Sequence, residues 1–314
     1  MPSLRAQSLK DIFTFTRSTT ATYWNSSGVL TTAAVDEPRI DYDPATLAVR
    51  GLLIEEERTN LILNSTTFAT QNVTVTNVAH TLSFYGTGTI TLSGTSTAGP
   101  LVGTGANTRV SLVFTPTAGT LTLTLSGSAT MAQLEVGAHA TSWIQTASET
   151  VTRAADVCYT NTLTPWFNET EGTIYTEFSI PSAFSASGAD RYIAQFDDGT
   201  YDNRHALLLN DSGSPLGSVS GFTAAGGVTQ AYLGTKAPSA GVAYKIAYGW
   251  EADNVTVVAS GSAAVTDTSA TMPSGLSTMR IGNLLSSYAM NGHIRKVKFY
   301  PRRLSNTELA ALVA

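Results

Sequence analysis

Residues 120–125 read Thr-Leu-Thr-Leu-Thr-Leu, a strict alternation that only a β-strand can use. In an extended chain successive side chains point to opposite faces, so the leucines form one apolar face and the threonines the other. An apolar sheet face must be buried against a second layer, which predicts a sandwich. The surroundings repeat the message. From Asn64 to Leu134 there is no acidic residue, and Arg109 is the only lysine or arginine. Charged residues are 13% of the 314-residue chain and hydrophobic ones 42%, with only five lysines. The remainder is dominated by Thr, Ser, Gly and Asn, which build strands and turns rather than helices. The expected fold class is all-β: tandem β-sandwiches ending in a jelly roll and one short helix.

Four regions follow from the punctuation. Residues 1–63 carry short strands: Thr22-Tyr-Trp24, a turn at Asn25-Ser-Ser-Gly28 and Val29-Leu30, then Arg39-Ile-Asp-Tyr42 stopped by Asp43-Pro44, then Gly51-Leu-Leu-Ile54. These are too short to enclose a core alone, so this region is expected to dock on something else. Residues 64–150 are expected to form a small sandwich, with Arg109–Phe114 and Thr120–Leu125 read as a hairpin and Thr130–Val136 continuing the meander. Residues 151–168 read as a linker. Residues 169–314 hold many turn-separated strands, the pattern of a larger jelly roll. Ser305-Asn-Thr-Glu308, flanked by Leu304 and Leu309, is a capping box with a hydrophobic staple and predicts the terminal helix.

Charge and composition exclude some functions. A net charge of −5 and a pI near 5.4 give no basic face for nucleic acid. No run approaches the ~18 apolar residues of a membrane span. The first ten residues hold no apolar stretch, which predicts synthesis without a secretory signal. Cys158 stands alone and is expected to be a small buried residue. Uncharged threonine-covered sheets favour edge pairing, which points to a homo-oligomer whose subunits cover one another.

Two groups of short motifs carry a resemblance. Phe15-Thr-Arg17, Pro38-Arg39, Gly51-Leu-Leu-Ile-Glu55 and Arg58-Thr-Asn-Leu61, with Gln133-Leu-Glu-Val-Gly137, Ala140-Thr-Ser-Trp-Ile144 and Thr152-Arg-Ala-Ala-Asp156, resemble modules of tail-fibre and head-spike proteins of bacteriophages and gene transfer agents. The later members resemble the end of their carbohydrate-binding-module-like sandwich. Tyr244-Lys-Ile-Ala-Tyr248, Met279-Arg-Ile-Gly282 and Asn291-Gly-His-Ile-Arg295 resemble a concanavalin A-like domain of laminin G type. The resemblance implies a virion surface protein, made in the bacterial cytoplasm, that contacts other virion proteins and attaches to host cell-surface polysaccharide. The alternatives are a polysaccharide depolymerase and a purely structural decoration or adaptor protein.

Such folds also house glycosidases, which need two carboxylates flanking the scissile bond. Trp250-Glu-Ala-Asp253 begins such a pattern, but Asn254-Val-Thr-Val-Val258 supplies no second glutamate, so no catalytic residue is assigned. Sugar rings stack on aromatic faces while planar polar groups take their hydroxyls. The candidates are Trp250, Tyr192, Tyr201, Arg204, Tyr232 and Tyr288, with Asp253 and Asn254 in the turn after Trp250. Trp250 is the first choice; its alternative is a place in the core. Asp197, Asp198 and Asp202 read first as a solvated Asp-Gly turn; their alternative is to supply oxygen ligands to Ca²⁺, the one cofactor considered.

Overall fold

The computed structural model describes residues 9–181, 190–210, 217–285 and 287–314. The protein is almost entirely β, as the alternation predicts, and its strands form two sandwiches. The larger one stacks two seven-stranded sheets. One sheet runs, in spatial order, Thr14–Thr16, Val157–Thr160, Thr278–Ile281, Arg191–Asp197, Arg204–Leu209, Val219–Ala225 and Val228–Gly234. The other runs Val265–Asp267, Val255–Ala259, Tyr244–Trp250, Gly172–Ser179, Gly292–Tyr300, Val49–Ile54 and Ile40–Tyr42. Between them lies one apolar core that includes Phe15, Ile54, Phe178, Phe196, Leu207, Ile246 and Trp250.

The N-terminal region is woven into both large sheets. Phe15 pairs with Cys158 at one edge, and Leu52 pairs with Ile294 in the other sheet. Two glycines permit this close approach. Gly51 has φ +122°, and a Cβ there would lie 2.5 Å from the Ile294 carbonyl oxygen. A Cβ on Gly282, at φ +81°, would lie 2.7 Å from Ile54. The stretch expected as a linker contributes the strand Val151–Arg153, paired with Arg58–Asn60, and the strand through Cys158. Cys158 is fully buried, and that burial, with the Asp156 charge, pushes its thiol up to about 12.

The small sandwich corrects one expectation. Gly105–Phe114 does not pair with Gly119–Ser126 as a hairpin. It pairs with His80–Gly86, whose other side takes Ala129–Val136, while Gly119–Ser126 lies in the facing sheet between Thr89–Gly94 and Gln71–Val75. The reason is apolar face against apolar face: Phe114, Leu121 and Leu123 bury more of their surface across one core than side by side in one sheet. The alternation itself is realised, with Leu121 and Leu123 buried and the intervening threonines outside them. The helix Asn306–Val313 forms with both halves of its capping box, Ser305 and Glu308, and packs Leu309 and Val313 on the outer face of the second large sheet.

A buried ionic network joins the modules. Arg17 Nη1 donates to Asp156 Oδ1 at 2.9 Å, and Arg39 Nη2 donates to Asp156 Oδ2 at 2.5 Å. Arg39 and Arg153 both pair with Glu55 Oε2, at 2.8 and 3.1 Å, and Ser142 donates to Glu55 through its backbone N–H and its hydroxyl. Burial works to raise the Glu55 pKa, but the charges of Arg153 and Arg39 and the Ser142 hydrogen bonds outweigh it and hold the carboxyl well below its usual range. Each of these residues belongs to one of the N-terminal or middle motifs quoted above.

Candidate functional site

The outer face of the first large sheet gathers five of the eight glycan-binding candidates. In Arg204–Leu209 the alternate residues Leu207 and Leu209 enter the core, so Arg204, Ala206 and Leu208 face outward. The neighbouring strand places Phe222 opposite both Ala206 and Tyr232. Tyr192 and Leu284 complete an apolar base with Phe222 and Ala224. On this base the Arg204 guanidinium lies 4.7 Å from the Phe222 ring centre and 5.8 Å from that of Tyr201, and Arg204 donates to the Tyr201 carbonyl. Phe222 and Tyr232 meet edge to face at 5.7 Å, and Tyr192 and Tyr288 lie 6.5 Å apart.

Exposure divides the roles. Tyr201, Tyr232 and Tyr288 are 50%, 40% and 44% exposed, whereas Tyr192 and Phe222 are buried beneath them. The Tyr232 hydroxyl donates to Asp190 at 3.3 Å, and burial together with the Asp190 charge raises its pKa, so the phenol stays protonated. The platform therefore offers three open ring faces, phenol hydroxyls and a guanidinium, which are groups for binding planar or ring-shaped polar ligands. Phe222 is the member that sequence reasoning missed. Its signal was present, because Ser220, Phe222 and Ala224 alternate with Val219, which faces the core.

Trp250 is a correction. It is fully buried, and its ring stacks on His205 at 4.3 Å and 21°. Tyr248, two residues earlier on the same strand, also faces the core, and Gly172 on the adjacent strand leaves the space the indole occupies. No ligand can reach that ring face. Burial alone lowers the His205 pKa to about 3, so the stacked imidazole is neutral. Asp253 and Asn254 are also away from the platform. They sit in the turn beside the C-terminal helix, where Asn254 donates to Glu251 at 2.6 Å and accepts from Arg303 at 3.0 Å. Asp253 takes a left-handed φ of 56° there.

Of the three aspartates considered for calcium, Asp197 and Asp198 spend their oxygens on protein donors. Asp197 is buried and takes Arg280 Nε at 2.8 Å and Gln195 Nε2 at 2.7 Å on one oxygen. Its other oxygen accepts from Gly199 at 2.9 Å. Asp198 accepts from the Thr200 backbone and hydroxyl and from Asn203, and these bonds outweigh burial to lower its pKa. These two carboxylates thus brace the turn. Among the described residues no group of three or more His, Cys, Asp or Glu side chains is placed to hold a metal ion.

No protein-family model matches the chain, and no curated protein matches it. Solved structures give loose likenesses. The carbohydrate-binding module of family 40 from a Ruminococcus gnavus sialidase, bound to α2,3-sialyllactose, is 19% identical with a TM-score of 0.38, over 47% of this chain and 84% of its own. Domain 4 of a Geobacillus stearothermophilus arabinanase, in complex with arabinotriose, is 10% identical with a TM-score of 0.38, over 51% and 73%. The mouse laminin α1 domains LG4-5 are 9% identical with a TM-score of 0.31, over 81% and 92%. The all-β sandwich assignment stands on the sheets themselves.

Proposed function

We propose that this protein is a non-enzymatic surface component of a phage or gene-transfer-agent particle that attaches to host cell-surface polysaccharide. The observation that carries the reading is the convergence of Tyr201, Arg204, Tyr232 and Tyr288 on one outer sheet face around Phe222. Open aromatic faces around a guanidinium suit sugar rings, which present apolar C–H faces and equatorial hydroxyls. The sequence motifs supply the particle context, and the uncharged threonine surfaces supply a reason for neighbouring copies to pack together as a homo-oligomer. The test is a pull-down on intact host cells and extracted capsule, followed by a reducing-end assay on the bound glycan. Binding without release of reducing ends is expected. A rise in reducing ends or a fall in capsule viscosity means a depolymerase instead, and failure to bind any host glycan removes the reading.

A further inference from the structure

A second place on the molecule has the make-up of a ligand site. Where the N-terminal strands, the small sandwich and the large sandwich meet, they enclose a cleft of about 350 Å³, within the range of small-molecule pockets. One wall is aromatic: Trp24 and Tyr85 stand at 62° with centres 6.2 Å apart, next to Tyr23. Charged residues lie beside it. Asp41 accepts from the Trp24 backbone at 2.8 Å, and its Oδ2 lies 2.9 Å from His293 Nε2. Arg50 donates to Asp43 at 2.7 Å and reaches Asp41 at 3.5 Å.

Local backbone irregularities point residues here. The ladder between Gly105–Phe114 and His80–Gly86 is interrupted between Gly105 and Arg109, and the exposed Asn107 and Thr108 of that interruption line the cleft. The strand Ala129–Val136 breaks register between Thr130 and Gln133, where Met131 takes φ 48° and also lines it. Bulges and left-handed non-glycine residues of this kind concentrate at functional sites. Three lining residues, Trp143, Arg109 and His139, hold buried nitrogens, Nε1, Nε and Nε2, with no hydrogen-bond partner among the described residues.

We infer that this cleft binds a saccharide unit. Its three carboxylates already have partners: Arg50 reaches Asp41 and Asp43, His293 lies against Asp41, and Arg39 and Arg153 pair with Glu55. The Arg109 guanidinium donates to the Thr141 carbonyl and the Ser83 hydroxyl and has no ion pair among the described residues, and the ring faces and the Asn107 amide are placed to receive a C–H face and hydroxyls. This site is separate from the outer-face platform and does not rest on it.

The intact chain labelled with 5-fluorotryptophan gives one ¹⁹F resonance for each of its four tryptophans, and Trp24→Phe assigns the relevant one. Methyl glycosides of glucose, galactose, mannose and N-acetylglucosamine are titrated in turn, against glucuronic and N-acetylneuraminic acids. At least one of these sugars is expected to move the Trp24 resonance saturably, with binding weakened roughly tenfold in Asn107→Ala and unchanged in Arg204→Gln. A Trp24 resonance that stays still with every one of these sugars overturns the inference. Because that outcome leaves polysaccharide capture by the platform untouched, the two readings fail separately.

Discussion

Arg204 and Tyr232 do different work from Trp250, although all three are sequence candidates for the same task. Tyr232→Ala removes an open ring face, so it is expected to weaken polysaccharide binding by about 1 kcal/mol with an unchanged thermal midpoint, read by calorimetry and melting on the same sample. Trp250→Ala opens the core and is expected to cost about 3–5 kcal/mol of stability, read by urea unfolding. The sign of a pH effect follows from His205. Its folded pKa, near 3, lies below its ordinary 6.5, so the unfolded chain binds the extra proton. Its contribution is complete above about pH 6.5 and is lost as the pH falls toward 3. His205→Gln should make urea midpoints fall less steeply across that window. Tyr232 alternates with the core residues Ala231 and Leu233, so strand periodicity turns it outward, whereas Tyr201 and Tyr288 stand in loops where no periodicity applies. The same rule applied from Tyr248 would have sent Trp250 inward; what hid it was that a tryptophan ending a strand reads equally well as a loop residue. Asp197 was ambiguous because its partner Arg280 is distant in sequence.

Single elements were legible wherever their signal is local. The terminal helix follows from four residues, and both reciprocal bonds between Ser305 and Glu308 are formed. Ser305→Ala is expected to cost about 1 kcal/mol, measured as a drop in unfolding midpoint without loss of polysaccharide binding. The Thr-Leu alternation likewise gave the right strand and the right buried face. Pairing was another matter. Phe114 and Leu121 are close in sequence and separated by a turn-like segment, yet they face each other across a core. Alternation identifies which side of a strand is apolar and carries no information on whether the next strand lies beside it or above it. The same blindness concealed the cleft, whose walls come from the strands Ala21–Trp24 and Ile40–Tyr42, the two broken ladders and the segment at Asn291–His293.

At the scale of the whole molecule, the dispersed N-terminal and middle motifs find a common explanation in the buried network of Arg17, Arg39, Glu55, Arg153 and Asp156. Breaking a buried pair leaves an uncompensated charge, so Glu55→Ala is expected to destabilise the protein by about 3–5 kcal/mol. Glu55 also contributes to acid sensitivity. Its folded pKa lies below the ordinary 4.5, so its stabilisation is present above that value and is lost as the pH falls further. Acid titrations followed by tryptophan fluorescence should show a loss of stability below about pH 4.5 that Glu55→Gln makes shallower. Because strands 14–16 and 49–54 complete the large sheets, a fragment of residues 169–314 is expected to expose unpaired edges and to self-associate on size-exclusion chromatography.

The pairing of Leu52 with Ile294 also orders events in time. A ribosome adds roughly 5–20 residues per second, so the strand Val49–Ile54 emerges on the order of 10–50 seconds before its partner. During that wait its apolar residues have no sheet to join, and neither does the strand Thr14–Thr16 until Val157–Thr160 arrives. The small sandwich, whose strands all lie between residues 71 and 136, can close first. The nascent chain thus carries one finished module flanked by a sticky, unfinished one, and its vulnerability to misassociation is set by the speed of translation.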